Sequence, residues 1–315
     1  MKKVLQKGLT DEYLCAIIGV SKHRAVCPEK FLRRNIMKKI LSVMLAVLML
    51  VAPLALGSCG ASNKIIVQTN AYFAPFEYLD GGNVVGVDVE IMNKVGEKLG
   101  KKVEFVDGDF AVIIDVVSEG KTADCGAAGI TITPKRAEKV AFSTPYYTSI
   151  QYVIFPKTAG IATKTDADGN AYIVWDALAG KKIGTQTDTT GWIYTDAEVA
   201  EGGVLYGTSA ECVAMDSAQI AVDGLGSLTD VVVIDELPAK YIVSKNANLE
   251  CLPLYYSGAD GEADSIVEEQ YAICVNKENT ELLEAINEVL AEMLVKDENG
   301  MTQIEKLVMS HMVGQ

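Results

Sequence analysis

Gly86-Val87-Asp88-Val89-Glu90-Ile91, followed by Val95-Gly96 and Leu99, is the stretch on which the reading of the fold turns. Val87, Ile91, Val95 and Leu99 recur every four residues, with Val89 and Met92 beside them and Glu and Lys between. That recurrence predicts one apolar face of a helix over 87–99. Asp88 falls at its start, where the peptide dipoles favour an acid. Upstream, Lys64-Ile65-Ile66-Val67-Gln68-Thr69 is a short strand signal, ended by Asn70 and Pro75. Downstream, strand signals at 103–106, 126–132, 152–155, 182–184, 231–234 and 271–275 alternate with helix signals at 110–118, 175–179, 209–222 and 280–296. Such alternation predicts α/β layers built on mostly parallel sheets. Residues 158–170 are polar and read as an exposed loop, and no repeat array is present.

The charge is unevenly placed. The 315 residues carry a formal net charge of −14, yet residues 1–58 hold 10 Lys and Arg against 3 Asp and Glu. From residue 59 onward the balance is 18 against 39, a net of −21. A surface of that sign repels phosphate backbones, so a nucleic-acid partner is not expected. Beyond residue 58 there is a single arginine, Arg136, and a single histidine, His311. Chemistry that needs a histidine base or a multi-histidine metal site has almost nothing to draw on, and no cofactor or metal is expected. The seven cysteines show no C-x-x-C pair. Cys125 and Cys274 sit in apolar runs as small hydrophobes, while a Cys212–Cys251 disulfide is conceivable from sequence but not fixed by spacing.

The basic-to-acidic switch coincides with an export signal. Met37-Lys38-Lys39 opens a basic region, an apolar run covers 40–56, and Gly57-Ser58-Cys59 follows. The run is at the lower edge of a membrane-spanning length. Leu56-Gly57-Ser58-Cys59 resembles a bacterial lipobox, which implies cleavage before Cys59 and lipidation of its thiol. Residues 37–58 are therefore read as a lipoprotein signal peptide. Residues 1–36, upstream of a complete signal, are read as a mis-assigned extension.

Several segments now fall into a familiar order. Gly86–Ile91 with Val95-Gly96 resembles the signature of the family 3 solute-binding proteins, the polar amino-acid receptors of ABC importers, although Val87 stands where an aromatic or larger aliphatic residue is usual. Ala74-Pro75-Phe76-Glu77-Tyr78, Ala128-Gly129-Ile130-Thr131-Ile132-Thr133 with Lys135-Arg136, Phe142-Ser143-Thr144-Pro145-Tyr146-Tyr147, Gly180-Lys181-Lys182-Ile183-Gly184 and Val233-Ile234-Asp235-Glu236 match in sequence order. The resemblance spans about 63–310. It implies a two-lobed type II periplasmic-binding fold with the ligand in the cleft between lobes. Lobe one would be 63–148 with 271–315 and lobe two 149–270, with crossings near 147–149 and 269–272.

The resemblance also implies a non-catalytic role: a monomeric, lipid-anchored protein on the outer face of the bacterial cytoplasmic membrane, delivering an amino acid to an ABC permease. Arg136 matches the carboxylate-binding position, and a planar guanidinium suits a carboxylate bidentately. Gly129 and Thr131 match backbone and hydroxyl contacts to the same ligand. Thr190 belongs to a loop, Thr185-Gln186-Thr187-Asp188-Thr189-Thr190-Gly191, that replaces a Gly-Thr-Thr loop, with Asp188 at the usual glycine. Asp235 matches the ammonium partner, at the end of a strand where α/β folds place ligand groups. Phe73 and Phe110 match rings that pack on the ligand. Asn70 stands where some relatives place an acid for a cationic side chain; its neutrality, and Ala128 in place of a serine, argue against lysine or arginine. Two alternatives share the fold: a cyclohexadienyl-dehydratase-like enzyme using Asp235, Glu77 or Asp188, and a ligand-sensing lipoprotein.

Overall fold

The computed structural model describes residues 63–259 and 262–313. Residues 1–36, the export signal read over 37–58 and Cys59 lie outside the described residues.

The helix Val87–Leu99 forms as its spacing requires. It buries Val87, Ile91, Met92 and Val95 completely against the first sheet and against the helix Thr280–Met293. Each such side chain contributes roughly 1.5–3 kcal/mol on leaving water. In that sheet Lys64–Thr69 runs parallel to Lys102–Asp107 and to Cys125–Gly126. Cys274–Val275 returns antiparallel between Cys125–Gly126 and Ala141–Phe142.

The second sheet has seven strands, ordered Lys164–Thr165, Ala171–Val174, Leu249–Tyr255, Gln151–Pro156, Val231–Asp235, Lys182–Gln186, Glu211–Met215. Gln151–Pro156 is antiparallel to both its neighbours, whereas Lys182–Gln186 is parallel to both of its own. Each sheet keeps parallel pairs beside antiparallel ones, because a strand that has just crossed from the other sheet arrives in the reversed direction. Covering helices on both faces explain why Tyr152–Phe155 reads as an unbroken apolar run. Val153 and Phe155 enter a core with Trp175, Leu178 and Ile183, while Tyr152 and Ile154 enter another with Ala221, Val222 and Ala239. Between the two sheets, Tyr147–Ser149 and Glu269–Tyr271 pair antiparallel as a two-stranded ladder.

Some expectations give way. The helix read over 209–222 is instead the edge strand Glu211–Met215 and a helix confined to Ala218–Asp223. The ladder with Lys182–Gln186 claims 211–215, and Ser217 accepts from the Ile220 amide at 3.2 Å, so the helix starts only after it. The strand read over 126–132 stops at Gly126. The chain then turns at Gly129, whose φ is 52°, a left-handed value. The loop read over 158–170 contains the short exposed strand Lys164–Thr165. The structure adds the strand Leu249–Tyr255 and the helices Thr190–Val199 and Gln303–Val313. Cys212 and Cys251 are free thiols, as are the buried Cys125 and Cys274. Cys212 lies 3.7 Å from the Thr185 hydroxyl instead.

No described helix is long and apolar enough to cross a membrane.

Candidate functional site

Arg136 sits on a single helical turn, Pro134–Ala137, that Thr133 caps by accepting the Arg136 amide at 3.2 Å. Its side chain is 7% exposed. Nη1 donates to the Thr131 carbonyl at 2.7 Å and Nη2 to the Asp188 carbonyl at 2.8 Å, while the Phe110 ring lies 5.3 Å beneath the guanidinium carbon. These contacts hold the plane of the fork and leave further N–H donors for a ligand. Burial lowers its pKa, and among its neighbours Glu269, Asp235 and Asp188 oppose that shift.

Asp235 ends the strand Val231–Asp235, directly before the helix Glu236–Lys245. Its carboxylate does not cap that helix; it accepts the Tyr271 hydroxyl at 2.6 Å. Burial raises its pKa, and the nearby Glu269 charge adds to the rise. The neighbouring acids have other occupations: Asp230 accepts the Lys182 amide at 2.7 Å and Glu236 pairs with Lys240.

Gly129 turns its backbone into the same space. A side chain there would meet the Phe73 ring at 2.7 Å, so the close approach and the positive φ both require glycine. Its amide donates to Asp88 Oδ2 at 3.0 Å, and Tyr146 donates to Asp88 Oδ1 at 2.5 Å. Asp88, expected only as a dipole partner at a helix start, is thus a buried anchor for the Gly129 turn. Burial pushes its carboxyl up to about 6, against the pull of these two donors. Beside it lies the buried Glu77, whose pKa burial and the Asp88 charge push well up.

At the other end of the space, Asn70 donates to the Gly108 carbonyl at 2.9 Å and accepts from Gln186 Nε2 at 2.9 Å. Gln186 Nε2 also donates to the Asp216 carbonyl at 3.3 Å. Asp188 keeps the conformation usual for a glycine: its φ is 60°. Thr189 then caps the helix Thr190–Val199 through the Trp192 amide at 3.3 Å.

One cavity is bordered by Asn70, Phe73, Phe110, Gly129, Thr131, Arg136, Thr190 and Asp235, the eight residues singled out from sequence. Glu77, Ala128, Gln186 and Thr189 complete its wall. Sequence reasoning missed Glu269 and Gln151. Glu269 accepts hydrogen bonds from Thr131, Thr190 and Gln151. Only burial separates it from the exposed Glu268 next to it, and no local pattern encodes that difference.

The sequence profile of the bacterial extracellular solute-binding proteins, family 3, matches residues 65–306. The chain belongs to this family. Among characterised relatives, the arginine-binding extracellular protein ArtP of Bacillus subtilis (strain 168) is 29% identical over 272 residues, covering 83% of this chain and 94% of that protein. The solved structure of an amino acid ABC transporter substrate-binding protein, AbpA from Streptococcus pneumoniae, bound to L-arginine, has a TM-score of 0.65 at 26% identity, covering 79% of this chain and 94% of the other. An ancestral arginine-binding protein bound to glutamine has a TM-score of 0.62 at 30% identity, covering 80% of this chain and 99% of the other. The two-lobed α/β architecture is the one these solute-binding proteins share.

Proposed function

We propose that this solute-binding protein captures an L-amino acid in the cleft and delivers it to the membrane permease of an ATP-driven importer. The observation that carries the reading is the placement of Arg136 and Asp235 on the wall of one cavity. The ligand's carboxylate pairs with the Arg136 fork and its ammonium with Asp235, so neither charge is buried alone at a cost of several kcal/mol. The ladder of Tyr147–Ser149 with Glu269–Tyr271 serves as the hinge between lobe one (63–148 with 271–315) and lobe two (149–270). Closure is driven by contacts that only the closed form makes from both sides.

The side chain of the ligand ends at Asn70 and Gln186. Gln186 Nε2 spends its donors on Asn70 Oδ1 and the Asp216 carbonyl and Asn70 Nδ2 gives one to the Gly108 carbonyl, which leaves Gln186 Oε1 and the second lone pair of Asn70 Oδ1 as acceptors beside one Asn70 N–H. Such an end selects side chains that donate, a guanidinium or a carboxamide. Arginine and glutamine, the ligands of the related structures, both qualify. That revises the expectation drawn from Asn70's neutrality alone.

The mature chain begins at Cys59 and acts as a monomer, held by lipid outside the cytoplasmic membrane. It binds and releases rather than transforms its ligand, in keeping with relatives that are binding proteins. A thermal-shift panel of the standard L-amino acids tests the reading. At about 100 times Kd a true ligand adds about 2.7 kcal/mol, a shift of several degrees. No shift with any of them, or turnover of the ligand, would refute it.

A further inference from the structure

Glu269 lies on the crossing strand Glu269–Tyr271, 1% exposed, and receives bonds from both sides of the cleft. Its Oε2 accepts the Thr131 hydroxyl at 2.9 Å and the Thr190 hydroxyl at 2.6 Å; its Oε1 accepts Gln151 Nε2 at 2.9 Å. Thr131 bridges to Tyr271 beside the first sheet. Thr190 opens a helix packed on the second sheet, and Gln151 begins a strand of that sheet.

A hydroxyl carries one proton and offers lone pairs besides. The protons of Thr131 and Thr190 both point at Glu269, so toward the cavity that both residues line these oxygens are acceptors only. An acceptor suits an ammonium and repels a carboxylate. The carboxylate is then left to Arg136 and to backbone amides. We propose that Glu269 is a positioning residue for ligand recognition: it turns the Thr131 and Thr190 hydroxyls into acceptors for the ligand's ammonium group and ties both lobes to the crossing strand. The proposal rests on the reading of the ligand as an amino acid. It specifies which ligand group the Thr131 hydroxyl, expected only to touch the ligand, meets, and gives the Thr190 hydroxyl the same part. Burial raises the pKa of Glu269, and the hydrogen bonds from Thr190, Gln151 and Thr131 together with the nearby Arg136 charge oppose that rise; the arrangement requires the ionised carboxylate.

The test compares wild type, Glu269→Gln, Thr131→Val and the double variant of the mature protein by calorimetric titration. The probes are L-arginine, L-glutamine and 5-guanidinopentanoate, which is arginine without its α-amino group. An amide at 269 can donate as well as accept, and it carries no charge. Glu269→Gln is expected to weaken amino-acid binding by about tenfold or more, as for loss of a charged hydrogen-bond partner. It should weaken 5-guanidinopentanoate far less, narrowing the discrimination between the two guanidino compounds. Because Glu269 acts through Thr131, the double variant should bind only slightly more weakly than the weaker single variant. Equal losses for both guanidino compounds would indicate a merely structural role and overturn the proposal. So would affinity within twofold of wild type, or single effects that simply multiply; the Thr131→Val arm decides the matter if Glu269→Gln does not fold. Wild-type protein that binds neither amino acid would remove the underlying reading, and the proposal with it.

Discussion

Arg136 Nη2 donates to the main-chain oxygen of Asp188 at 2.8 Å, so the guanidinium is tied to the loop that follows the strand Lys182–Gln186, at a residue with a left-handed backbone. Asp188 holds a left-handed φ of 60°, a conformation that aspartate tolerates and β-branched residues do not.

Two substitutions separate geometry from charge at this loop. Asp188→Gly should keep both affinity and stability, with a stability change of no more than about 1 kcal/mol, since glycine takes this φ freely but loses more entropy on folding. Asp188→Val should cost about 1–3 kcal/mol in strain and weaken ligand binding by displacing the carbonyl that Arg136 engages. Chemical denaturation and calorimetric titration of both variants provide the check; equal behaviour would show that the loop's geometry is not being used.

The first core is expected to be intolerant of cavities. Ile91 is fully buried between the first sheet and the Thr280–Met293 helix, so Ile91→Ala should destabilise by about 2–5 kcal/mol in urea unfolding. A loss below about 1 kcal/mol would mean that this helix packs less tightly than described.

Buried acids give the protein without ligand an unusual pH response. Asp88 rises from an ordinary value of about 3.9 to about 6 in the fold, so the native state holds the proton more tightly than the unfolded chain. The stability that results is present in full below about 3.9 and is lost as pH climbs through about 6, on the order of 3 kcal/mol. Glu77 shifts in the same direction, while His311, kept neutral by burial, works the other way below its ordinary value. The melting temperature should therefore be higher at pH 5 than at pH 7.5, and Asp88→Asn should flatten that slope. A wild-type slope equal to the variant's would contradict the assignment.

The proposed lipid anchor has its own assay. Cys59→Ala should release the protein from membranes into the soluble fraction, and continued membrane retention would favour an uncleaved apolar anchor.

Much of this was legible in the chain because it is local. Val87, Ile91 and Val95 announce their helix by spacing, and the solitary Arg136 stands out by count. What stayed hidden depends on distant partners. Glu211–Met215 is a strand only because Lys182–Gln186 lies beside it in register. Glu269 and Gln151 reach the residues that line the cavity only because the crossing ladder brings residues 118 apart within 2.9 Å. The Asp88 carboxylate is likewise claimed by Tyr146 and Gly129, neither of them near it in sequence. Pairwise closeness of that kind leaves no periodic trace.

The central claim is that an amino acid's carboxylate is held by Arg136. Calorimetric titration of wild type and Arg136→Met with L-arginine and L-glutamine tests it most directly. Loss of a buried, hydrogen-bonded charge partner should cost about 2–5 kcal/mol, weakening binding by roughly thirtyfold or more while the fold persists. An Arg136→Met protein that binds within a few-fold of wild type would contradict the account.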